Sequence, residues 1–202
     1  MTVRVLVAED MQILRDTLVA VLGLEDDLEV VAEVGDGDGV VDAALATDPD
    51  VAVVDIDLPG MDGLAVAAVL RERLPACRVL ILTALALPGN LRRALAVQAA
   101  GFLGKDAPAR DLVDAVRRVA SGERVIDPRL ALATLEVPQN PLSPREAEIL
   151  RHFSDGRDAR EIAAALYLSH GTVRNYLASA VTKLGARNRV DAIRLAREAG
   201  WL

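Results

Sequence analysis

The sequence of 202 residues predicts an α/β protein, in which a flavodoxin-like, doubly wound sheet of five parallel strands precedes a small all-α domain of four helices. Three observations lead to this prediction. Short apolar runs alternate with helix-like stretches through the first 120 residues, these runs then stop, and only helical periodicity continues from residue 142. Nearly continuous apolar strands separated by amphipathic helices are typical of a parallel sheet that is covered on both faces.

The individual elements follow from the same pattern. The strands are predicted at residues 3–8, 29–34, 51–54, 79–82 and 102–103, and the helices between them at 11–23, 38–47, 63–74, 89–100 and 109–121. Residues 122–141 contain three prolines and no long period, which predicts a linker with a short helix at 128–135. The C-terminal helices are predicted at 144–154, 158–166, 170–184 and 188–199. The predicted domains are therefore residues 1–121 and 142–202.

Composition limits the classes of function. No apolar run approaches the roughly 20 residues of a membrane span, and the N-terminus lacks the apolar core of a secretory signal. The single cysteine, Cys77, allows no intrachain disulfide and, with only two histidines, argues against a zinc site. We therefore expect a cytoplasmic protein without membrane association.

The charge is divided unevenly between the two predicted domains. The net charge is −7, but residues 1–122 carry 11 Lys and Arg against 20 Asp and Glu, whereas residues 141–202 carry 10 against 7. This difference suggests an acidic unit joined to a unit that meets a polyanion.

Polar side chains follow four of the five predicted strands. Glu9 and Asp10 follow the first strand, Asp55 the third, Thr83 the fourth and Lys105 the fifth. In a doubly wound sheet these positions surround one crevice. Three carboxylates would repel one another there unless a hard cation neutralised them, and Mg²⁺ fits such oxygen ligands. Lys105 and Thr83 could then bind an anion such as a phosphoryl group.

Each of these residues also has an ordinary structural explanation when it is considered alone. Glu9 or Asp10 could cap a helix, Thr83 could cap a turn, and Lys105 could be a solvated charge. The combination of all five at strand ends favours a site. In the stretch VVDIDLPGMDG (residues 53–63), we expect Asp57 to be a solvent-facing turn residue.

The residues at the strand ends resemble the receiver domain of bacterial response regulators. The acid pair, DIDLPGMDG, Thr83 with its following alanine, and GFLGKD match it in order over residues 3–121. The resemblance implies that Asp55 accepts a phosphoryl group from a phosphohistidine of a sensor kinase, that Thr83 and Lys105 bind this group, and that Phe102 is the switch aromatic. The Mg²⁺ ligands that it implies are Glu9, Asp10, Asp55 and the main-chain carbonyl of Asp57.

The same stretch leaves an enzymatic alternative. An apolar strand followed by Asp-x-Asp resembles the phosphatases of the haloacid dehalogenase type, in which Asp55 would be the nucleophile and Asp57 the general acid. That motif usually continues with Gly-Thr, whereas this chain continues with Leu-Pro-Gly, and its acid pair lies upstream. We therefore expect a non-enzymatic regulator.

The helix predicted at 170–184 has one apolar stripe and one polar face. Val173, Leu177, Ala180 and Leu184 form the stripe. Ser169 is placed to cap the helix, and the short connection before it is compatible with a helix-turn-helix. The second helix of that motif enters the major groove, where Arg can bind guanine and Asn can bind adenine. Periodicity alone leaves helical packing or peptide binding open.

The C-terminal segments LSPREAEIL, REIAAALYLSHGTVRNYL and KLGARNRVDAI resemble the LuxR-type helix-turn-helix over residues 142–202. The whole chain thus resembles response regulators of the NarL/FixJ class, and NPLSPREAEIL and GTVRNYL resemble its DesR-like branch. The resemblance implies that Arg174 and Asn175 contact bases. The phosphate contacts that it implies are Thr172, Lys183, Arg187 and Arg189.

Together these features predict a DNA-binding transcription regulator of a two-component system, activated by phosphotransfer to Asp55 and acting on operator DNA as a homodimer. A dimer face is expected on two helices, at Ile13, Leu14 and Leu18 of the first and at Leu112, Val116 and Val119 of the fifth. A regulator that binds DNA without phosphorylation, and an adaptor that does not bind DNA, remain as alternatives.

Overall fold

The structure is a computed structural model in which residues 2–84, 87–126, 131 and 140–202 are described. The chain forms two compact units. The first contains the parallel sheet, and the second contains the four C-terminal helices. The short helix predicted at 128–135 falls almost wholly outside the described residues.

The sheet has six parallel strands rather than the five predicted, in the order β2-β1-β3-β4-β5-β6. The strands are β1 Val3–Ala8, β2 Leu28–Val34, β3 Val51–Asp55, β4 Arg78–Thr83, β5 Gly101–Gly104 and β6 Val125–Ile126. The additional strand β6 lies in the range predicted to be a linker. Gly122, with φ of 98°, reverses the chain, and Val125 N–H then donates to the Ala100 carbonyl at 3.0 Å. A run of two residues is too short to be recognised by periodicity.

The described residues contain nine α-helices. They are α1 Gln12–Leu22, α2 Gly37–Thr47, α3 Gly63–Arg73, α4 Pro88–Ala96, α5 Ala109–Ser121, α6 Pro144–Ser154, α7 Ala159–Ala165, α8 His170–Lys183 and α9 Arg189–Glu198. All nine were predicted, and the largest error is at the end of α4. Gln98 has φ of 60°, and Ala99 N–H bonds back to the Ala94 carbonyl at 2.9 Å, so the helix cannot continue to residue 100.

The core of the first unit lies on both faces of the sheet. Every residue of β3 is buried, and successive residues belong to opposite faces: Ala52 and Val54 pack in one cluster, and Val51 and Val53 in the other. Burial on both faces confirms the doubly wound prediction.

Most of the predicted dimer face is core instead. Leu18, Leu112, Val116 and Val119 are buried against the sheet, since α1 and α5 use this apolar stripe to cover it. Ile13 remains outside this core and is 83% exposed.

The second unit has its own core. Ile149, Leu150, Ile162, Val173 and Leu177 are fully buried within it. The stripe predicted for α8 faces this core, and its polar face is therefore turned outward. None of the described helices is long and apolar enough to cross a membrane.

Candidate functional site

The strand register brings the predicted acidic residues together. In the pairing of β1 with β3, Ala8 lies beside Val54, so Glu9, which follows β1, and Asp55, the last residue of β3, lie side by side. One carboxylate oxygen each of Glu9, Asp10 and Asp55 lies within 4.8 Å of the others. Glu9 and Asp55 are buried, whereas Asp10 is exposed. The cluster is thus open to solvent on the Asp10 side.

Lys105 is the cation of this cluster. Its Nζ lies 2.8 Å from Glu9 Oε2 and 2.9 Å from Asp55 Oδ2, and its side chain is 14% exposed. Its backbone N–H donates to the Thr83 carbonyl at 2.8 Å, which fixes the loop after β5 to the end of β4. Burial would lower the pKa of Lys105, but hydrogen bonds to Glu9 and Asp55 outweigh it and raise the pKa.

One lysine does not satisfy the two buried carboxylates. Among the described residues, Asp55 Oδ1 is buried without a hydrogen-bond partner. Burial, reinforced by the charge of Asp55 and opposed by Lys105, raises the pKa of Glu9. Carboxylates that have lost water in this way are stabilised by a further positive charge. Three carboxylates in one cluster are the oxygen ligands that hard divalent cations take, so these residues fit such an ion.

The loop after β3 separates the two aspartates of VVDIDLPGMDG. Gly63 N–H donates to the Ile56 carbonyl at 2.9 Å, and a Cβ at Gly63 would lie 1.9 Å from the Asp55 carbonyl oxygen. Asp62 caps α3 by accepting from Ala65 N–H at 2.7 Å. Asp57 is exposed, as expected, and lies outside the carboxylate cluster. A phosphatase would require its side chain as the general acid within the site.

Thr83 and Phe102 point to the same face of the sheet. Ile81 pairs with Phe102 and Thr83 pairs with Gly104, and residues two apart on a strand share a face. Both Thr83 and Phe102 are fully buried. Thr83 and the predicted switch aromatic are therefore buried on the same side of the sheet.

The sequence did not reveal Arg15 as part of the site. Its Nη1 donates to the Glu9 main-chain carbonyl at 2.6 Å and so holds the acid pair in position. No sequence pattern marks a side chain that binds a carbonyl six residues away.

The second predicted site is the polar face of α8. Ser169 caps the helix by accepting from Thr172 N–H at 3.0 Å, and the two hydroxyls lie 2.8 Å apart. Arg174 and Asn175, the predicted base contacts, are exposed, and neither has a hydrogen bond or ion pair with any described residue. Their donors and acceptors are therefore available to a ligand.

The other predicted phosphate contacts have partners inside the unit. Lys183 pairs with Glu146 at 2.7 Å, and Arg187 Nε with Asp191 at 3.2 Å. The Arg189 guanidinium lies 5.7 Å from the centre of the Phe153 ring, a cation–π contact. The structure thus gives each of these cations a partner, and of the predicted DNA contacts only Arg174 and Asn175 are unengaged with respect to the described residues.

Comparison with known proteins identifies the family of each domain. Residues 5–117 match the response regulator receiver domain, and residues 140–196 match the bacterial regulatory proteins of the luxR family. The transcriptional regulatory protein DesR of Bacillus subtilis is 40% identical over 199 residues, which is 98% of each chain. The response regulator RamR of Streptomyces coelicolor is 46% identical over 200 residues, again 98% of each.

Solved structures give the same result. The response regulator ChrA of a heme-sensing two-component system is similar over 100% of this chain and 99% of its own, with 35% identity and a TM-score of 0.60. The response regulator RcsB in complex with DNA is similar over 98% of this chain and 99% of its own, with 26% identity and a TM-score of 0.69. The chain therefore belongs to the NarL/FixJ class of response regulators, with a receiver domain followed by a LuxR-type DNA-binding domain.

Proposed function

We propose that this regulator is activated when a sensor histidine kinase transfers a phosphoryl group to Asp55. The observation that supports this most directly is the position of the Asp55 carboxylate. It is buried beside Glu9, its Oδ2 is paired with Lys105, and its Oδ1 has no partner among the described residues. An acceptor carboxylate needs one free oxygen and a nearby cation for the incoming charge.

In the proposed step an Asp55 carboxylate oxygen attacks the phosphorus atom of a phosphohistidine. The new O–P bond forms as the P–N bond breaks, and the imidazole of the kinase leaves with the electron pair. Lys105, which is 2.9 Å from Asp55 Oδ2, would neutralise charge on the transferred group. Mg²⁺, when bound, supplies positive charge to the phosphoryl oxygens. Its ligands would be Glu9, Asp10, Asp55 and the main-chain carbonyl of Asp57.

The phosphoryl group would act on the rest of the receiver through Thr83 and Phe102. We infer that the Thr83 hydroxyl is drawn to the phosphoryl oxygens and that Phe102 repacks behind it, because both are buried on the same face of the sheet. The altered surface would favour a homodimer that occupies two DNA half-sites. Arg174 and Asn175 would contact the bases, and the protein would act in the cytoplasm, where the DNA is.

Phosphotransfer is tested by intact-protein mass after incubation with acetyl phosphate and Mg²⁺. The wild-type chain should gain one phosphoryl group, and Asp55→Asn should gain none. Asp57→Asn is the matched control, because it removes the exposed carboxylate two residues away and should still be phosphorylated. Equal incorporation in Asp55→Asn would show that the acceptor is wrongly assigned.

DNA binding is tested by selecting sites from a random duplex pool with the phosphorylated chain. Two half-sites at fixed spacing are expected, with affinity that falls steeply with salt. Arg174→Ala should lose discrimination at one position of each half-site. Absence of salt-dependent binding would instead support an adaptor that does not bind DNA.

A further inference from the structure

The turn between α7 and α8 contains an exposed tyrosine in a backbone conformation that favours glycine. Tyr167 has φ of 54° and is 97% exposed. In this left-handed region the Cβ of an L-residue approaches the following carbonyl oxygen, which only glycine avoids. A bulky aromatic residue here requires a physical explanation.

The helix ends of the second unit provide an internal comparison. All four helices end in a Schellman motif, in which two successive N–H groups after the helix bond back to carbonyls of its last turn. After α7, Tyr167 N–H bonds to the Ala164 carbonyl at 3.4 Å and Leu168 N–H to the Ala163 carbonyl at 2.9 Å. The residues equivalent to Tyr167 after α6, α8 and α9 are Gly156, Gly185 and Gly200, all with positive φ. Among these four helix ends, the one before α8 is the only one in which the residue with positive φ is not glycine.

The Tyr167 side chain has no evident role within the domain. At 97% exposure it adds nothing to the core. Its hydroxyl makes no hydrogen bond, and its ring no aromatic or cation contact, with any residue that the structure describes. A strained residue that makes no internal contact is typical of a binding surface, because selection for binding can keep a residue that lowers the stability of the fold.

We propose that Tyr167 is a DNA-backbone contact, with its hydroxyl donating to a phosphate beside the groove that α8 enters. Tyr167 lies two residues before Ser169, which caps α8, and Arg174 and Asn175 follow within the first two turns of the same helix. The N-terminal part of a recognition helix reaches the base edges, so the turn that leads into it lies near the flanking phosphates. Tyrosine hydroxyls are among the groups that bind phosphates and fix the register of the protein on the duplex.

This proposal rests on the proposed DNA-binding function and predicts a particular signature. The Tyr167 hydroxyl is a neutral donor, and its contact with a phosphate releases no counterion. Loss of this hydroxyl should therefore weaken DNA binding without changing the dependence of the affinity on salt. A phosphate contact should also matter equally on different sequences. Loss of the Arg174 guanidinium, in contrast, should relax base discrimination.

The test uses the full phosphorylated chain and two fluorescent duplexes of equal length, one selected from a random pool and one of random sequence. Tyr167→Phe removes only the hydroxyl and should raise the Kd at least about threefold on both duplexes, with an unchanged salt slope. Tyr167→Gly should weaken binding at least as much.

Stability gives an independent measurement. Trp201 is the only tryptophan of the chain and packs against the core of the second unit, so its fluorescence follows the unfolding of that unit. Tyr167→Gly should raise the midpoint of thermal unfolding by a few degrees, since it relieves the left-handed strain. Gly156→Tyr is the matched control, because Gly156 has φ of 88° and a Cβ there would meet nothing within 4 Å. It should lower the midpoint by a similar amount.

Two results would overturn the proposal in distinguishable ways. If Tyr167→Phe binds both duplexes less than threefold more weakly than the wild type, while Arg174→Ala still loses discrimination, Tyr167 is not a backbone contact and the proposed function stands. If the wild-type chain shows no salt-dependent DNA binding, the proposed function fails and the assignment of Tyr167 fails with it.

Discussion

Glu146 connects α8 to the rest of its domain, and its removal should destabilise that domain strongly. The side chain is 5% exposed and accepts three hydrogen bonds, from Ser143 N–H at 2.6 Å, Ser179 Oγ at 2.6 Å and Lys183 Nζ at 2.7 Å. The first closes the capping box of α6, and the other two come from α8. Glu146→Gln keeps the size but removes the negative charge that pairs with Lys183 and replaces one acceptor oxygen by an NH2 group.

The magnitude follows from the pKa of the carboxyl group. Burial alone would raise the pKa of Glu146, but Lys183, Ser179 and Ser143 outweigh it and hold the pKa at about 2, against an ordinary value of 4.5. A depression of this size corresponds to about 3 kcal/mol of stability. Because Lys183 is 42% exposed and partly screened by water, we expect Glu146→Gln to cost about 2–3 kcal/mol at pH 7.

The pH dependence has a definite sign. A carboxyl group with a depressed pKa in the folded state stabilises fully above its unfolded pKa, and this stabilisation is lost as the pH falls from 4.5 towards 2. The difference between the wild type and Glu146→Gln should therefore fall by roughly half between pH 7 and pH 3.

Urea unfolding, followed by the fluorescence of Trp201, measures both quantities in the second unit. Glu148→Gln is the matched control, because Glu148 lies on the same helix, its side chain is 41% exposed, and its one ion pair within the described part of the chain is with Arg145. Its loss should therefore cost less than about 1 kcal/mol. A loss below about 0.5 kcal/mol for Glu146→Gln at pH 7, or a difference that stays constant down to pH 3, would refute this account.

Three further changes test the two sites. Gly63→Ala places a Cβ 1.9 Å from the Asp55 carbonyl oxygen. It should lower the midpoint of thermal unfolding of the receiver domain, measured by circular dichroism, and should slow phosphorylation by acetyl phosphate. An unchanged rate of phosphorylation would mean that the loop adjusts without moving Asp55. Lys105→Gln removes the ammonium group 2.8–2.9 Å from Glu9 and Asp55, and should slow the initial rate of mass gain by at least about tenfold. A wild-type rate would place the charge stabilisation elsewhere. Ser169→Ala removes the cap of α8 and should cost about 1 kcal/mol in the urea assay, whereas a loss near zero would show that water replaces the cap.

The sequence predicted that the residues of the candidate receiver site lie together because one topological rule connects them. Parallel strands end at a common edge, so residues 9, 55, 83 and 105 had to converge once the strands were assigned. β6 escaped prediction because two residues have no period, and Arg15 escaped because its bond to the Glu9 carbonyl depends on three-dimensional position alone.

The apolar residues of α1 and α5 show a different limit. An apolar stripe predicts that a helix face is covered, but it does not tell whether the sheet or a second subunit covers it. For Leu112, Val116 and Val119 the sheet does. Glu146 shows the same limit for charge, because the capping-box pattern explains its bond to Ser143 but says nothing of Lys183, 37 residues away.

The internal pairing of the basic residues has a consequence for activation. Lys183, Arg187 and Arg189 would each have to share or give up a partner in order to contact a phosphate. Of the predicted contacts, one domain therefore presents to DNA only Arg174 and Asn175 as unengaged groups among the described residues, together with the proposed Tyr167 contact. So few contacts supply little affinity at physiological salt, whereas two linked domains bind half-sites with the advantage of a high effective concentration. A receiver that forms dimers only when Asp55 is phosphorylated would therefore control DNA occupancy without any change in α8 itself.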